Sequence, residues 1–338
     1  MWLGALRVKQ APKTQLGLEL SSEPRQLPVL DEKTRGAVFR ALPVRRVLNS
    51  PATTGMGFWS LNPYVGCEFG CSYCYARKTH QWTTERASAS GALLPRSAAS
   101  AWAAFEHEIL VKESAPEVLL RTLEPAKLAG AELVIGTATD PYQPAERRFL
   151  LTRRLLEALL RHRGLAIGLI TKSPLVTRDL DVLTRLSAQH DVSVNISLVS
   201  MDAALLRRLE ARSPAPHARI RALARLSKAG IHAGLLIAPI LPGITDGWAS
   251  LAALYEAAKQ AGARYVAGYP LRLGPAARAG FLPVLQSEFP DLVERYQRRY
   301  GSGVHAGKDY EAALKRRLRA LQEAFGFSEN RPMRPTLD

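Results

Sequence analysis

Three cysteines lie within one eight-residue run, Cys67-Glu68-Phe69-Gly70-Cys71-Ser72-Tyr73-Cys74, and they are all the cysteines the chain has. Their spacing is C-x3-C-x2-C. Three thiolates can hold a cubic iron–sulfur cluster by three of its irons and leave the fourth iron open to a small molecule. An open iron is a place for a reaction. Other chemistries compete for the same residues. A zinc site takes four ligands, so it would need His80 or a more distant histidine. A disulfide framework suits an even number of separated cysteines in a short chain, whereas these three are close together in 338 residues. Structural cysteines tend to scatter, and these do not.

The elements that must position this loop alternate between short apolar runs and longer helical ones. Phe58–Tyr64 reads as a strand ending just before the cysteines. The helical segment Ala98–Glu106 follows. Further strands are predicted at Ala131–Thr139, Leu165–Thr171, Asp191–Leu198, His232–Pro239 and Arg264–Tyr269. Helices are predicted between them at Arg148–Arg163, Arg178–Gln189, within Ala203–Ala229, and at Gly247–Ala261. Regular β-α alternation with apolar strands predicts an α/β fold with a parallel sheet covered by helices. Six strands are too few for a closed eight-stranded barrel, so an open or partial barrel is expected. In such folds ligands bind at the carboxyl ends of the strands, and the cysteine loop follows the first of them. Gly66 and Gly70 are expected to let its backbone turn tightly.

Three regions are expected: an irregular, proline-bearing N-terminal extension over 1–51, the α/β core over 52–270, and a C-terminal helical extension and tail over 271–338. Within the first, Gly36–Leu42 reads as a short strand or turn. In the last, Lys308–Phe325 reads as a basic amphipathic helix. The chain is 47% hydrophobic, with no apolar run near the roughly 20 residues needed to span a bilayer. The first residues lack a secretory pattern, so a cytoplasmic location is expected, where thiols stay reduced. No membrane partner is expected.

Lys and Arg number 46 against 30 Asp and Glu, a formal net charge of +16. Basic residues recur along the predicted helices, in groups such as Arg147–Arg163, Arg207–Lys228 and Arg295–Arg319. Such a surplus attracts polyanions, DNA or RNA above all. Solvated arginine-rich helix faces give the same composition.

Three motifs carry a resemblance: Asn62-Pro-Tyr-Val-Gly-Cys-Glu-Phe-Gly-Cys-Ser-Tyr-Cys-Tyr-Ala-Arg77, Thr137-Ala-Thr-Asp-Pro-Tyr-Gln-Pro-Ala-Glu146 and Thr171-Lys-Ser173. Together, over about Leu61 to Tyr269, they resemble the spore photoproduct lyase-like (DNA repair photolyase-like) branch of the radical S-adenosylmethionine (SAM) superfamily. The resemblance implies a partial (β/α)6 barrel of the TIM type. It implies that Cys67, Cys71 and Cys74 ligate three irons of a [4Fe–4S] cluster and that SAM chelates the fourth. It also implies an external reductant such as flavodoxin or ferredoxin. Reductive cleavage of SAM would then yield methionine and a 5′-deoxyadenosyl radical that abstracts a substrate hydrogen, in a lyase or transferase type of reaction.

Candidate contacts to SAM follow. Lys172, directly after the third strand, is a cation for the SAM carboxylate, or a solvated loop lysine. Thr139 and Asp140 are acceptors for its ammonium, or turn formers at Asp-Pro. Asn195 and Ser197 share one strand face and are candidates for the ribose hydroxyls, or for buried polar packing. Tyr73 and Tyr75 are candidates for adenine, or pack under the loop. Tyr142 is a candidate radical relay, with an aromatic lid as the plainer reading. Spore photoproduct lyase uses a further cysteine as hydrogen donor near the end of the second strand. This chain reads Gly136-Thr-Ala-Thr-Asp140 there and has no spare thiol, so thymine-dimer reversal by that donor is not expected. The competing function class is a non-catalytic iron–sulfur or zinc protein that binds nucleic acid.

Overall fold

A computed structural model describes residues 28–32, 36–80, 83 and 101–327. The first strands are β1 (Val29–Glu32), β2 (Val38–Ala41), β3 (Leu48–Asn49), β4 (Trp59–Leu61) and β5 (Tyr64–Val65). They are followed by β6 (Glu108–Val111), β7 (Glu132–Ile135), β8 (Ala166–Thr171), β9 (Asp191–Ser197), β10 (Ala233–Ile240) and β11 (Val266–Pro270). Seven of these form one sheet in the order β11-β10-β9-β8-β7-β4-β3.

Neighbours from β4 through β11 in this sheet run parallel, and only β3 is antiparallel, to β4. The six parallel strands are the six predicted from the sequence. Their legibility has a simple cause: in β9, Val192, Val194 and Ile196 are buried, as are Ile167 and Leu169 in β8. A strand in a covered parallel sheet needs apolar, often β-branched residues on at least one buried face, while the other face of β9 carries the buried polar Ser193, Asn195 and Ser197. Each fully buried Leu, Ile or Val contributes about 1.5–3 kcal/mol relative to exposure. Among the described residues the sheet does not close, and β3 and β11 are its two edges. Between the strands lie helices at Leu151–Leu159, Leu180–Ser187, Ala203–Leu209, Pro216–Lys228 and Trp248–Gln260.

A second sheet, order β1-β2-β6-β5, was not legible in the sequence beyond β2. The segment read only as helical continues from the helix Ala101–His107 straight into β6. Ile109, Leu110 and Val111 are fully buried, and a short apolar run does not by pattern alone distinguish a strand from buried helix. The part of the predicted helix at 98–100 lies outside the described residues. The described portion of the N-terminal region is not irregular: it supplies β1, β2 and β3. The C-terminal helix spans Lys308–Phe325 as predicted. Its Leu314 and Leu321 are buried, and Gln322 Nε2 donates to the Val266 carbonyl at 3.2 Å. The helix thereby covers the open edge of the sheet at β11.

One glycine fixes the mouth of the sheet. Gly136, just past β7, has φ +97°, and a Cβ there would lie 2.4 Å from the Ile170 carbonyl oxygen. Gly136→Ala is expected to destabilise the fold by about 1–3 kcal/mol, measured by urea unfolding.

Candidate functional site

The cysteine loop leaves β5 and crosses the carboxyl ends of the parallel strands. Gly66 has φ +92° and Gly70 φ +65°, and a Cβ at Gly70 would lie 2.6 Å from the Arg212 guanidinium. The loop is held from three sides. The Cys67 amide donates to the Phe105 carbonyl at 2.8 Å, and the Glu68 amide donates to Gln143 Oε1 at 3.0 Å. Gln143 Nε2 in turn donates to the Gly66 carbonyl and to Thr139 Oγ1. From the third side, the Ser72 amide donates to the Leu209 carbonyl at 3.0 Å, and Arg212 Nε donates to the Glu68 carbonyl at 2.7 Å. Arg77 and Arg212 both pair with Glu106, bracing the loop against the helix Ala101–His107.

Cys67 and Cys71 are buried and Cys74 is partly exposed, and all three pKa values are pushed up. Burial is the main cause; at Cys67 the Asp140 carboxylate adds to it, and at Cys71 Glu210 does. Cys74 and Cys67 raise the Cys71 pKa further, so the thiols lie near enough to feel one another. Among the described residues, no three Cys, His, Asp or Glu side chains are already gathered in metal-binding geometry. The donor set nevertheless fits an iron–sulfur cluster. Three neighbouring thiols with no disulfide partner gain a stable thiolate form only where positive charge offsets their burial, and a metal supplies that charge. His80, weighed as a fourth zinc ligand, is buried beneath the loop with Nε2 at 3.1 Å from the Glu108 carbonyl.

Next to the loop lies a buried ionic network. Glu210 forms a β-bridge with Cys71, and its side chain is inaccessible. Its carboxylate accepts from Lys172 Nζ at 2.8 Å, from Ser213 Oγ at 2.6 Å, from the Arg219 guanidinium and from the Tyr73 hydroxyl. Lys172 Nζ also reaches the Tyr73 hydroxyl and Ser197 Oγ, each at 3.2 Å. Burial works to raise the Glu210 pKa, but Arg219 and Lys172 overcome it and hold it well below the usual carboxylate range. Burial works to lower the Lys172 pKa, and Glu210 overcomes that, so the ammonium stays charged. Two cations face one carboxylate. Arg219 is fully buried, whereas the Lys172 side chain is 15% exposed, so the unmatched positive charge opens outward at Lys172.

Asp140 ties this network to the preceding strand end. It accepts from Thr171 Oγ1 and the Lys172 amide, both at 2.7 Å, and from the Tyr142 amide at 2.9 Å. The turn foreseen at Asp-Pro is therefore present. Thr139 Oγ1 donates to the Gly66 carbonyl at 2.6 Å. The structure thus brings Tyr73, Lys172 and Ser197 together, with Thr139 and Asp140 beside the start of the cysteine loop.

Two candidates lie apart. Asn195 is fully buried, accepting from the Tyr265 hydroxyl at 2.9 Å and donating to the Leu169 carbonyl at 3.3 Å, the polar packing its strand position allowed. Tyr142 is a packed interior ring and no exposed lid. Its hydroxyl donates to Asp179 Oδ2 at 3.1 Å beneath Arg178. Tyr75 is 57% exposed, and its hydroxyl donates to the Thr137 carbonyl.

Sequence reasoning missed Glu210 and counted Arg219 among the surface cations. The one available signal was an acid at the end of an arginine-rich helical run, followed by Ser213-Pro214-Ala215-Pro216, which ends the helix and turns the acid inward.

The family model of the radical SAM superfamily matches residues 61–254, and the chain belongs to that superfamily. An uncharacterized protein of Mycobacterium tuberculosis is 30% identical over 303 residues, covering 89% of this chain and 85% of its own. An uncharacterized protein of Methanocaldococcus jannaschii is 29% identical over 186 residues, covering 55% and 61%. Among solved structures, a spore photoproduct lyase variant aligns with a TM-score of 0.61 at 14% identity, covering 86% of this chain and 80% of its own. A second variant, with bound AdoMet and dinucleoside spore photoproduct, aligns with a TM-score of 0.59 at 17% identity, covering 85% and 79%. These structural likenesses establish the fold. Superfamily membership implies SAM-cleaving radical chemistry, a [4Fe–4S] cluster, SAM and an electron donor. Among the described residues no helix is long and apolar enough to cross a membrane.

Glu210→Gln leaves the buried Arg219 and the partly buried Lys172 facing a neutral amide. It is expected to cost about 3–5 kcal/mol in urea or thermal unfolding. The Glu210 pKa is lower folded than unfolded, so its contribution is full above its ordinary value of 4.5 and is lost as pH falls below it. The variant should lose less stability than the native chain over that acid range.

Proposed function

We propose that this protein is a radical SAM enzyme that cleaves SAM reductively and abstracts hydrogen from a nucleic-acid substrate. The observation that carries the SAM reading is the unmatched positive charge at Lys172, placed beside a loop of three neighbouring thiols. Cys67, Cys71 and Cys74 would hold the cluster. When bound, the cluster supplies one electron to SAM, which breaks to methionine and a 5′-deoxyadenosyl radical. Lys172 would bind the SAM carboxylate, an anion that neutralises the surplus charge of the Glu210 network without disturbing its ion pairs. Asp140 would keep the Lys172 backbone in place and present its carboxylate to the SAM ammonium, with Thr139 bracing the loop at Gly66. Ser197, at the end of β9, would meet the ribose, while Asn195 holds β9 to Tyr265 behind it. Tyr73 orients Lys172 through their shared carboxylate. A flavodoxin or ferredoxin type of carrier would deliver the electron.

Nucleic acid as substrate is supported by the net charge of +16. The dinucleoside bound to the similarly folded lyase variant supports it too. With three thiols held by iron, none remains to donate hydrogen, so the substrate radical must be quenched by another group or by deoxyadenosine.

The chain, reconstituted anaerobically with iron and sulfide and given dithionite and SAM, is expected to release 5′-deoxyadenosine, read by chromatography. Cys74→Ala should lose the cluster's visible absorption. Lys172→Gln leaves Glu210 balanced by Arg219, so it should fold and keep the cluster. Its KM for SAM should nonetheless rise at least about tenfold, the loss of one charge-assisted contact. A confirmed cluster with no deoxyadenosine, or native kinetics in Lys172→Gln, would contradict the assignment. Zinc in anaerobically purified protein, without visible absorption, would favour a zinc module instead.

A further inference from the structure

Several arginines of the barrel helices are already matched. Arg148 pairs with Asp31, Arg153 with Asp181, Arg154 with Glu117 and Arg208 with Glu288. The C-terminal helices gather several cations in one place. Between the helix Val293–Tyr300 and the first turn of the helix Lys308–Phe325 lies an open cleft of about 450 Å³. It is lined by Arg295, Arg298, Arg299 and Lys308, with Asp309 as its one carboxylate and Tyr310 at its floor. We propose that this cleft binds the phosphodiester backbone of a nucleic-acid strand and anchors it at the mouth of the barrel.

The pairing within the cleft supports an anionic occupant. Among the described residues, Arg295 and Lys308 have no ion pair, and Arg298 has only a loose, exposed one with Glu294 at 3.7 Å. Arg299 is fixed: its guanidinium lies 4.3 Å from the Tyr310 ring centroid and donates to the Ala306 carbonyl at 3.3 Å, while its buried Nε has no partner. The helix Lys308–Phe325 begins at Gly307, which offers no side-chain cap, so its first-turn amides and the positive end of its dipole face the same cleft. One guanidinium fixed by Tyr310 and Ala306, three further cations and a helix start suit a chain of phosphates better than a single ion, whose charge they would exceed. The volume also lies within the roughly 300–1,000 Å³ of small-ligand clefts, more than one inorganic anion needs.

The position of the cleft links it to the reaction. The Tyr310 hydroxyl donates to Asp246 Oδ2 at 3.0 Å, and Arg295 packs against Gly243, both in the loop that follows β10. The Tyr300 hydroxyl donates to the Leu271 carbonyl just past β11 at 3.0 Å. The cleft therefore sits at the carboxyl end of the parallel strands, the end that carries the cysteine loop and Lys172. A strand bound there runs along the rim of the site.

This proposal rests on the nucleic-acid reading above. Its test is anisotropy titration of the reconstituted full chain with a labelled single-stranded oligodeoxynucleotide over a range of salt concentrations. Inorganic phosphate serves as competitor. Arg295→Ala/Lys308→Ala should weaken binding roughly tenfold at low salt and reduce the slope of log K against log salt by about 1–2. Arg221→Ala/Arg225→Ala, which removes the same charge from exposed positions of the helix Pro216–Lys228, should stay within about twofold of the native chain. Equal losses in both double variants would reduce the effect to net charge and overturn the cleft. Native affinity in Arg295→Ala/Lys308→Ala would also overturn the cleft while leaving the nucleic-acid reading intact. No binding by the native chain at low salt would overturn both. Displacement of the oligonucleotide by equimolar inorganic phosphate would mark a site for a single anion and overturn the backbone reading.

Discussion

A carboxylate with no access to water, held between a buried guanidinium and a partly buried ammonium, is expensive to form and worse to break. Desolvating such charges costs several kcal/mol each, and only their mutual attraction and hydrogen bonds offset it. Glu210 meets this condition through four donors from four parts of the chain: Lys172 after β8, Arg219 on the helix Pro216–Lys228, Ser213, and Tyr73 inside the cysteine loop. Its backbone bridges to Cys71. The loop that offers thiols, the lysine that offers charge and the helix behind them are thereby set relative to one another by a single side chain. The surplus of one positive charge then makes the site receptive to an anion before any ligand arrives.

The second consequence is a separation of labour between scaffold and reach. Gln143, Asn62 and Thr139 satisfy backbone groups around the loop; Asn62, for example, accepts from the Ala138 amide at 2.9 Å and donates to Ser60 Oγ at 2.9 Å. These residues hold position. In the proposed function, Lys172 and the three thiols are the groups that meet a ligand. The charge of the whole chain divides similarly. Some arginines of the barrel helices, Arg153, Arg154 and Arg208 among them, are matched by carboxylates, while Arg295, Arg298, Arg299 and Lys308 gather around one cleft with a single carboxylate in its lining.

Much of this was legible in the residues, and the reasons are physical. The six parallel strands announce themselves because each buries at least one face that must be apolar, often β-branched. The cysteine triplet announces itself because three thiols in one short run have few other uses. Lys172 could be picked out from its place after a strand. Glu210 and Arg219 could not, because burial of a charge is a property of the tertiary fold, and an arginine in an arginine-rich helix looks like a solvated one. Asn195 and Ser197 share a strand face as read, yet one ends at Tyr265 and the other at Lys172, since two residues along a strand separate depth from surface. The second sheet escaped because its central strand is four residues long and follows a helix without a break.

The account stands on SAM meeting the cluster at the end of the network marked by Lys172. Electron paramagnetic resonance of the reconstituted, dithionite-reduced chain tests this most directly. The account predicts that saturating SAM changes the g-values of the reduced cluster in the native chain, and that Lys172→Gln needs much more SAM for the same change. A native cluster signal identical with and without saturating SAM would contradict it.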